Sequence, residues 1–294
     1  MTIDVRRIRH VALQTTDLAA AADYYAGPWG LEQVDSGDGV AAFRGTGAEH
    51  HCLQLVGGEA NVMDHLAFAL ADRSAVDEAA GGLAARGIAL LREPGPLDGP
   101  GAGYGFRIAD PEARVLEFST DVEAVPPQQP SATPTNLSHV VLNTTNIDAA
   151  AAWWTDVLGF RVSDWSEHQM VFLRCNSDHH SIAFNQADYT SINHAAYEVP
   201  SLDAFMQSLG RLHRGGHEPG WGPGRHGPGN NAFSYFVDPS GHVPEVTAEV
   251  QQINESTWVP RVWRRVPELS DLWGTAGPPS EEIRGYMAGT RSAR

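Results

Sequence analysis

The stretch that decides the fold is IRHVALQTTDLAAAADYY at residues 8–25, because a second copy of its pattern, LSHVVLNTTNIDAAAAWW, occupies residues 137–154. His10 and His139 hold the same position in the two copies and are 129 residues apart. Each copy has the pattern of a short apolar strand followed by an alanine-rich helix, and Asn146 is the candidate N-cap of the second helix. The chain therefore contains an internal repeat, which has to be interpreted before single motifs.

Three further stretches recur at nearly the same spacing. The pairs are EHHCLQLV (49–56) with DHHSIAFN (178–185), MDHLAFAL (63–70) with INHAAYEV (192–199), and DPEARVLEF (110–118) with DPSGHVPEV (238–246). In these pairs His65 precedes His194 by 129 residues, and Glu117 precedes Glu245 by 128. Recurrence at such regular spacing indicates a duplicated domain.

The segment between the two copies, DVEAVPPQQPSATPTN, is rich in proline and polar residues and is typical of a linker. Within each copy the order strand, helix, three strands occurs twice, which predicts an α+β fold with two βαβββ units per domain. We therefore predict a first domain, a linker, a second domain and a C-terminal tail, at residues 1–120, 121–136, 137–255 and 256–294. The tail is expected to wrap the surface or to cover the mouth of a site.

The bulk composition excludes several classes of function. With 20 basic and 36 acidic residues the formal net charge is −16, which argues against binding of nucleic acid or of an anionic membrane surface. The N-terminal stretch lacks the apolar core of a signal peptide, and no run approaches the length of a membrane span. The two cysteines, Cys52 and Cys175, suit a reducing compartment, so we expect a cytoplasmic protein.

Thirteen histidines raise the question of a metal site. His139, His194 and Glu245 fall in three predicted strands, and two imidazoles with one carboxylate can form a facial triad that leaves coordination positions free on iron(II). A lone histidine on a strand is more often a satisfied core residue. The recurrence of all three at matched repeat positions favours the metal site instead.

The run GPGRHGPGNN at 222–231 is expected to form a loop, because proline removes a donor from a strand ladder and glycine permits turn conformations. Pro244, directly before Glu245, predicts that the strand carrying Glu245 lies at a sheet edge or is bulged. Glu249 is the only nearby carboxylate that could replace Glu245.

The chain resembles the type I extradiol ring-cleavage dioxygenases of the vicinal oxygen chelate (glyoxalase/bleomycin resistance) superfamily, of the catechol 2,3-dioxygenase and dihydroxybiphenyl dioxygenase kind. The resemblance covers about residues 8–253 and is carried by the stretches LSHVVLNTTNIDAAAAWWTDVLGF, DHHSIAF, INHAAYEVPSLD and GRHGPGNNAFSYFVDPSGHVPEV, with TAEVQQI after them. It implies tandem vicinal oxygen chelate domains, each a partly open barrel, with catalysis in the C-terminal domain. It further implies Fe(II), with Mn(II) as the alternative, a catecholic substrate with O2, a role in aromatic catabolism and a homo-oligomer.

The resemblance also implies roles for single residues. His139, His194 and Glu245 would hold the metal, His180 would lie beside the oxygen site, and His226 and Tyr235 would contact the hydroxyls of the substrate. Strand alternation places only one of His179 and His180 on the inner face, and the spacing does not decide which. Substrate-binding candidates chosen from their positions are Asp164, Trp221, Asn230 and His179.

The first domain retains His10, His65 and Glu117, so the triad alone does not distinguish the two halves. The neighbouring positions distinguish the two halves. Arg107 occupies the position that matches Tyr235, and Asp98 occupies the position that matches His226. The charge of Arg107 opposes cation binding, so we predict one active site, in the second domain. The first triad is then either a relic of core histidines, which we favour, or a second, non-catalytic metal site.

Two other functions are compatible with the residues. One is a glyoxalase-like isomerase or lyase that uses Zn, Ni or Mn. The other is a non-catalytic ligand-binding protein of the same fold. The set His180, His226 and Tyr235 argues against the isomerase, since isomerisation needs no histidine at an oxygen site. The intact triad argues against the binding protein.

Overall fold

Each half of the chain folds as two consecutive βαβββ units, as the computed structural model of residues 2–289 describes it. The elements of the first half are β1 Arg7–Thr15, α1 Leu18–Ala26, β2 Glu32–Gly37, β3 Val40–Arg44, β4 Leu53–Gly57, β5 Val62–Ala69, α2 Arg73–Ala85, β6 Leu90–Pro96, β7 Tyr104–Ala109 and β8 Val115–Thr120.

The second half repeats this order and adds a structured tail. Its elements are β9 Asn136–Thr144, α3 Ile147–Asp156, β10 Arg161–Ser166, β11 Met170–Arg174, β12 Ile182–Gln186, β13 Ser191–Glu198, α4 Leu202–Arg214, β14 Trp221–Arg225, β15 Ala232–Tyr235 and β16 Pro244–Ala248, followed by β17 Val262–Trp263, α5 Pro267–Ser270 and α6 Glu281–Met287. Within the described residues, no helix is both long and apolar enough to cross a membrane.

Each half forms one mixed sheet, with the first strands of its two units paired antiparallel at the centre. The strand orders are β2-β3-β4-β1-β5-β8-β7-β6 in the first sheet and β14-β15-β16-β13-β9-β12-β11-β10-β17 in the second. The predicted α+β fold with two tandem domains is confirmed. Each sheet is open, with two ends to its strand order, and does not close into a barrel. The proposed domain boundaries stay a prediction, and the tail extends the second sheet through β17.

The helices begin where the sequence pattern places them. The side chain of Asn146 accepts a hydrogen bond of 3.0 Å from the Ala149 amide and caps α3, and Asp17 caps α1 in the same way through the Ala20 amide. Gly159 follows α3 with a φ of 78°, a left-handed conformation that favours glycine.

The two halves pack against each other through reciprocal contacts. Tyr25 on α1 donates a hydrogen bond of 3.0 Å to Asp238 of the second half, and its counterpart Trp154 on α3 points its indole nitrogen at Asp110 of the first half, 3.5 Å away. Phe68 of the first sheet also packs edge-to-face on Trp154. One apolar core therefore spans the two sheets.

Of two expectations about proline, one is wrong and the other holds only for residues 226–231 of the predicted loop. Trp221–Arg225, which includes the start of the predicted loop, is the strand β14. It lies at the end of the sheet, where proline is tolerated, and its register to β15 shifts between Trp221 and Gly224. Pro244 is not in an edge strand, since β16 lies between β13 and β15. It is the first residue of β16, a position that proline accepts, and its carbonyl accepts a hydrogen bond of 2.9 Å from Phe236.

Candidate active site

The three predicted metal ligands converge at the centre of the second sheet. Ala196 of β13 pairs with His139 of β9 on one side and with Glu245 of β16 on the other, and His194 lies two residues earlier on β13. The Glu245 Oε2 atom lies 3.4 Å from His139 Nε2 and 3.2 Å from His194 Nε2. All three side chains are buried, and their candidate ligand atoms lie within 4.8 Å of one another.

The hydrogen bonds around this triad leave the inward-facing atoms free for a cation. His194 donates from Nδ1 to the Asn193 side-chain oxygen at 2.8 Å, and His139 Nδ1 lies 3.2 Å from the Ser138 hydroxyl. The Asn193 contact fixes the tautomer of His194, so its Nε2 presents a lone pair, and within residues 2–289 Glu245 Oε2 is buried without a hydrogen-bond partner. Two imidazole nitrogens and a carboxylate oxygen that face one another are typical ligand atoms of a transition-metal ion. This donor set fits a divalent ion such as Fe(II) or Mn(II).

The electrostatics of Glu245 agree with that arrangement. Burial alone would raise its pKa, but the adjacent imidazoles of His139 and His194 lower the pKa well below its usual range. Burial lowers the pKa of His194, which is therefore neutral at neutral pH. An ionised carboxylate beside a neutral imidazole is the protonation state that a metal needs.

Asn231, which the sequence analysis did not select, orients the carboxylate. Its Nδ2 lies 3.3 Å from Glu245 Oε1 and 2.9 Å from the Thr247 hydroxyl, and the residue is fully buried. Asn230, which was selected, is exposed and accepts a bond from Arg225 instead. Glu249 is paired with Arg225 at 2.5 Å and does not join the triad.

His180 is the member of its pair that faces the cavity beside the triad. Its ring centroid lies 4.1 Å from that of His139. His179 lies behind it, with Nε2 3.1 Å from Asp164 Oδ2 and Nδ1 3.1 Å from His180 Nδ1. Because the Asp164 carboxylate can only accept, His179 donates from Nε2 and its Nδ1 accepts from His180. This chain leaves Nε2 as the one free nitrogen of His180.

His226 and Tyr235 form a second hydrogen-bonded chain at the cavity. The Nδ1 of His226 donates to the Ser270 carbonyl at 3.0 Å, so its Nε2 accepts from the Tyr235 hydroxyl at 2.9 Å. Burial lowers the pKa of His226 to about 4, while burial and the charge of Glu245 raise the pKa of Tyr235 well above its usual value. At neutral pH the imidazole is therefore a neutral acceptor and the phenol keeps its proton.

The loop that carries His226 passes close to His180 because of one glycine. Gly229 has a φ of 78°, and a Cβ at this position would lie 3.0 Å from His180 Cε1. Any side chain here would strain the backbone and press on the imidazole. The glycine-rich composition of the loop thus allows the close approach of two histidine-bearing segments.

These side chains line a cavity of about 460 Å³ in the second domain. The triad contributes His139 and His194, and the other predicted residues in the wall are His180, Trp221, His226 and Tyr235. Asp164 is fully buried behind the wall and also accepts a bond of 2.7 Å from the Trp263 indole. A larger cavity of about 770 Å³ lies between the two halves and reaches His194, but none of the other predicted residues lines it.

The tail covers this cavity, in agreement with one of the two placements expected for it. Trp263, Leu269 and Ser270 lie in the wall, together with residues from α6. Asp271 accepts hydrogen bonds from the amides of Arg225, Trp273 and Ala276 and so ties the tail to the strand that precedes His226.

The family model described as "Glyoxalase/Bleomycin resistance protein/Dioxygenase superfamily" matches residues 7–118 and 136–246. Metapyrocatechase 2 of Cupriavidus necator is 27% identical over 275 residues, which cover 85% of this chain and 82% of that protein. The manganese-dependent 2,3-dihydroxybiphenyl 1,2-dioxygenase of Geobacillus genomosp. 3 is 27% identical over 293 residues, with coverage of 90% and 91%.

Among solved structures, the Mn(II)-bound glyoxalase from Novosphingobium aromaticivorans superposes with a TM-score of 0.90 at 40% sequence identity. The match covers 95% of this chain and 93% of that one. The similarity therefore extends over both halves of the molecule.

Proposed function

Because the chain belongs to the Glyoxalase/Bleomycin resistance protein/Dioxygenase superfamily, we propose that its second domain is an extradiol dioxygenase that cleaves a catechol ring next to the diol with O2. The observation that carries the proposal is one cavity that joins the His139–His194–Glu245 triad to three further polar groups, His180, His226 and Tyr235. Two relatives that align over most of both chains, named metapyrocatechase 2 and 2,3-dihydroxybiphenyl 1,2-dioxygenase, support it.

The proposed metal is Fe(II), with Mn(II) as the alternative. His139, His194 and Glu245 would hold such an ion, and three protein ligands would leave part of its coordination sphere free for a catecholate and O2. Asn193, Ser138 and Asn231 would keep the three ligands in place through the hydrogen bonds described above.

The proton chemistry is assigned to the His226–Tyr235 pair. A catechol has to lose a proton to chelate a metal well, and His226 Nε2 is a neutral acceptor whose tautomer is fixed by the Ser270 carbonyl. Because His226 Nε2 already accepts from the Tyr235 hydroxyl, the proton is relayed: the Tyr235 oxygen accepts the catechol proton as Tyr235 passes its own proton to His226. Tyr235 therefore stays protonated and is suited to donate a hydrogen bond to the negatively charged substrate oxygen. His180, held by His179 and Asp164, is assigned to the side of the site where O2 reacts.

The rim of the cavity suggests the class of catechol. Arg264, Arg265 and Arg284 line it, none of them forms a salt bridge within residues 2–289, and Asp188 is the one acidic residue in the wall. Three arginines at one opening are unusual in a chain with a net charge of −16. We infer a catechol with an anionic substituent such as a carboxylate, since arginine binds carboxylates in a bidentate manner.

A metal-dependent isomerase or lyase is the second candidate, and the 40% identity to a protein described as a glyoxalase favours it. Such an enzyme consumes no O2, so a measurement of O2 uptake distinguishes the two candidates.

Homo-oligomerisation and a cytoplasmic location are also proposals.

The test uses the full chain, loaded without air with Fe(II) or Mn(II) and then mixed with aerated catechols. The panel contains plain, alkyl-substituted and carboxylated catechols and a biphenyl diol. We expect consumption of one O2 per catechol and a yellow ring-opened product. Stoichiometric metal without O2 consumption on any member of the panel would falsify the dioxygenase proposal, and turnover of a hemithioacetal without O2 would support the isomerase.

A further inference from the structure

The first domain contains a second convergent set of metal-ligand side chains that the proposed function does not use. His10 on β1, His65 on β5 and Glu117 on β8 are buried, and their candidate ligand atoms lie within 4.8 Å of one another. The Nε2 atoms of His10 and His65 are 3.0 Å apart. That separation is close to the distance between two neighbouring ligands of one transition-metal ion, for metal–nitrogen bonds of about 2.1 Å.

The surroundings of these histidines retain features of a metal site. His65 Nδ1 lies 2.6 Å from the Asp64 carboxylate, which orients the ring and directs Nε2 inward, as carboxylates do for metal-bound histidines. His51, whose ring centroid lies 4.2 Å from that of His10, is only 4% exposed, and among the described residues its Nε2 has no hydrogen-bond partner. Burying an imidazole nitrogen without a hydrogen-bond partner is costly, and this nitrogen can act as an additional metal ligand.

A positive charge nevertheless already occupies this cluster. Arg107 on β7 is the direct cross-strand partner of Glu117, and its Nε and Nη2 atoms lie 2.9 and 2.8 Å from Glu117 Oε2. In the second domain Tyr235 holds the equivalent place opposite Glu245, whose Oε2 has no hydrogen-bond partner in the part of the chain that the structure describes. The two domains therefore differ in one cross-strand neighbour. Arg107 neutralises Glu117, whereas Tyr235 leaves Glu245 free for a cation.

We propose that His10, His65 and Glu117 are a latent site for a divalent first-row transition metal, from which the guanidinium of Arg107 excludes the cation. Metal binding here requires Glu117 to exchange its ion pair for the metal while a second cation stays a few ångströms away, and the repulsion between them opposes this. Removal of the guanidinium leaves Glu117 buried and uncompensated, which favours the capture of a cation. This inference is independent of the reaction assigned to the second domain.

The experiment measures the metal content of the full chain. Metal-free protein is dialysed against Mn²⁺, and bound manganese per chain is measured by elemental analysis. We expect Arg107→Met to bind one more Mn²⁺ per chain than the wild type, and Arg107→Met/His65→Ala to lose this gain. Arg92→Met, which removes an arginine from the neighbouring position on β6, is the matched control and should leave the metal content unchanged.

Variants that change the charge at position 107 test whether the positive charge excludes the metal. Arg107→Lys keeps a cation and should bind no additional metal, whereas Arg107→Tyr, which copies the second domain, should bind it if the Met variant does not fold. The Tm of Arg107→Met should rise more on addition of Mn²⁺ than that of the wild type. An unchanged manganese content in Arg107→Met and Arg107→Tyr would overturn the proposal. The proposal would also be overturned if the wild type bound a second Mn²⁺ that His65→Ala removes, because Arg107 would then not exclude the metal.

Discussion

The Nδ1 of His226 lies 3.0 Å from the main-chain carbonyl of Ser270, which belongs to the C-terminal tail. A neighbouring pair reinforces this contact, since the Gly227 amide donates to the Leu269 carbonyl at 3.0 Å. The tail therefore fixes the tautomer of a proposed catalytic histidine in addition to covering its cavity. The wall of the site is completed by a segment outside the duplicated pattern.

The first prediction concerns Asp271, the buried anchor of that tail. Asp271→Ala removes the acceptor of three backbone amides, and we expect a loss of about 2–3 kcal/mol in the free energy of unfolding. Because the loop of His226 is released, kcat should fall about 10–100-fold while the bound metal is retained. Denaturant unfolding, turnover and metal content check this. Glu268→Ala, an exposed tail substitution, is the control, and an unaltered kcat in the destabilised Asp271 variant would contradict the positioning role.

The second prediction separates His226 from the metal ligands. His226→Gln should keep the metal and lower kcat about 10²–10⁴-fold, because a proton acceptor is lost, whereas His194→Ala should lose the metal. Elemental analysis and O2 uptake measure the two effects. His168→Gln, at an exposed histidine, should behave as the wild type. Loss of metal in His226→Gln would show that the assigned role is wrong.

The same variant gives a pH prediction. Burial lowers the pKa of His226 to about 4, so its Nε2 remains an acceptor throughout the range from about pH 5 to about pH 8. The ratio of wild-type to His226→Gln kcat/KM should therefore be constant across that range and decrease only towards pH 4. Taking the ratio removes the effects of pH that both proteins share. A decrease centred near pH 6.5 would mean that the histidine is solvated, in contrast to its position in the structure.

The repeat determined how much of the fold could be predicted. A spacing of nearly 129 residues was enough to identify the two α+β domains, and the fold, the superfamily and the relationship to extradiol dioxygenases are confirmed. The candidate triad followed from the same spacing, because residues at matched positions of duplicated strands lie at matched positions of two sheets. The strand β14 could not be predicted from the sequence, because an edge strand tolerates proline and glycine that a central strand excludes.

The sequence could not predict contacts that depend neither on side-chain identity nor on local spacing. The Ser270 carbonyl orients His226 through the main chain, so no residue type marks it. Asn231 and Asn230 are adjacent and identical in type, and only the turn at Asn230, with a φ of 47°, determines which side chain reaches Glu245. Asp164 was selected as a pocket residue but is buried behind His179, because β17 of the tail covers it.

The third prediction concerns the contact between the two halves. Glu112 accepts hydrogen bonds from the Thr144 hydroxyl at 2.6 Å and from the Thr145 amide at 2.8 Å, at the start of α3. Partial burial alone would raise its pKa, but these bonds and Arg114 lower it below the ordinary value of 4.5. Glu112→Gln should therefore destabilise the protein by about 1–2 kcal/mol at neutral pH.

The sign of the pH dependence follows from that lowered pKa. The ionised carboxylate contributes its full stability above pH 4.5, and the contribution is lost as the pH falls through the pKa of the folded state. The difference in unfolding free energy between the wild type and Glu112→Gln should thus shrink below about pH 4.5. Urea unfolding at several pH values measures it, with Glu93→Gln as an exposed control. A difference that grows in acid would contradict the ionised bridge.

The fourth prediction tests the arginine rim of the cavity. Arg264→Gln and Arg265→Gln should each raise the KM for a carboxylated catechol about 10-fold or more, since a charge-assisted hydrogen bond contributes about 1.5–3 kcal/mol. The KM for unsubstituted catechol should change little, because that substrate carries no group for the guanidinium to bind. Steady-state O2 uptake with both substrates measures the split, and Arg214→Gln, on the exposed side of α4, is the matched control. Equal changes for both substrates would mean that the arginines support the tail and do not select the substrate.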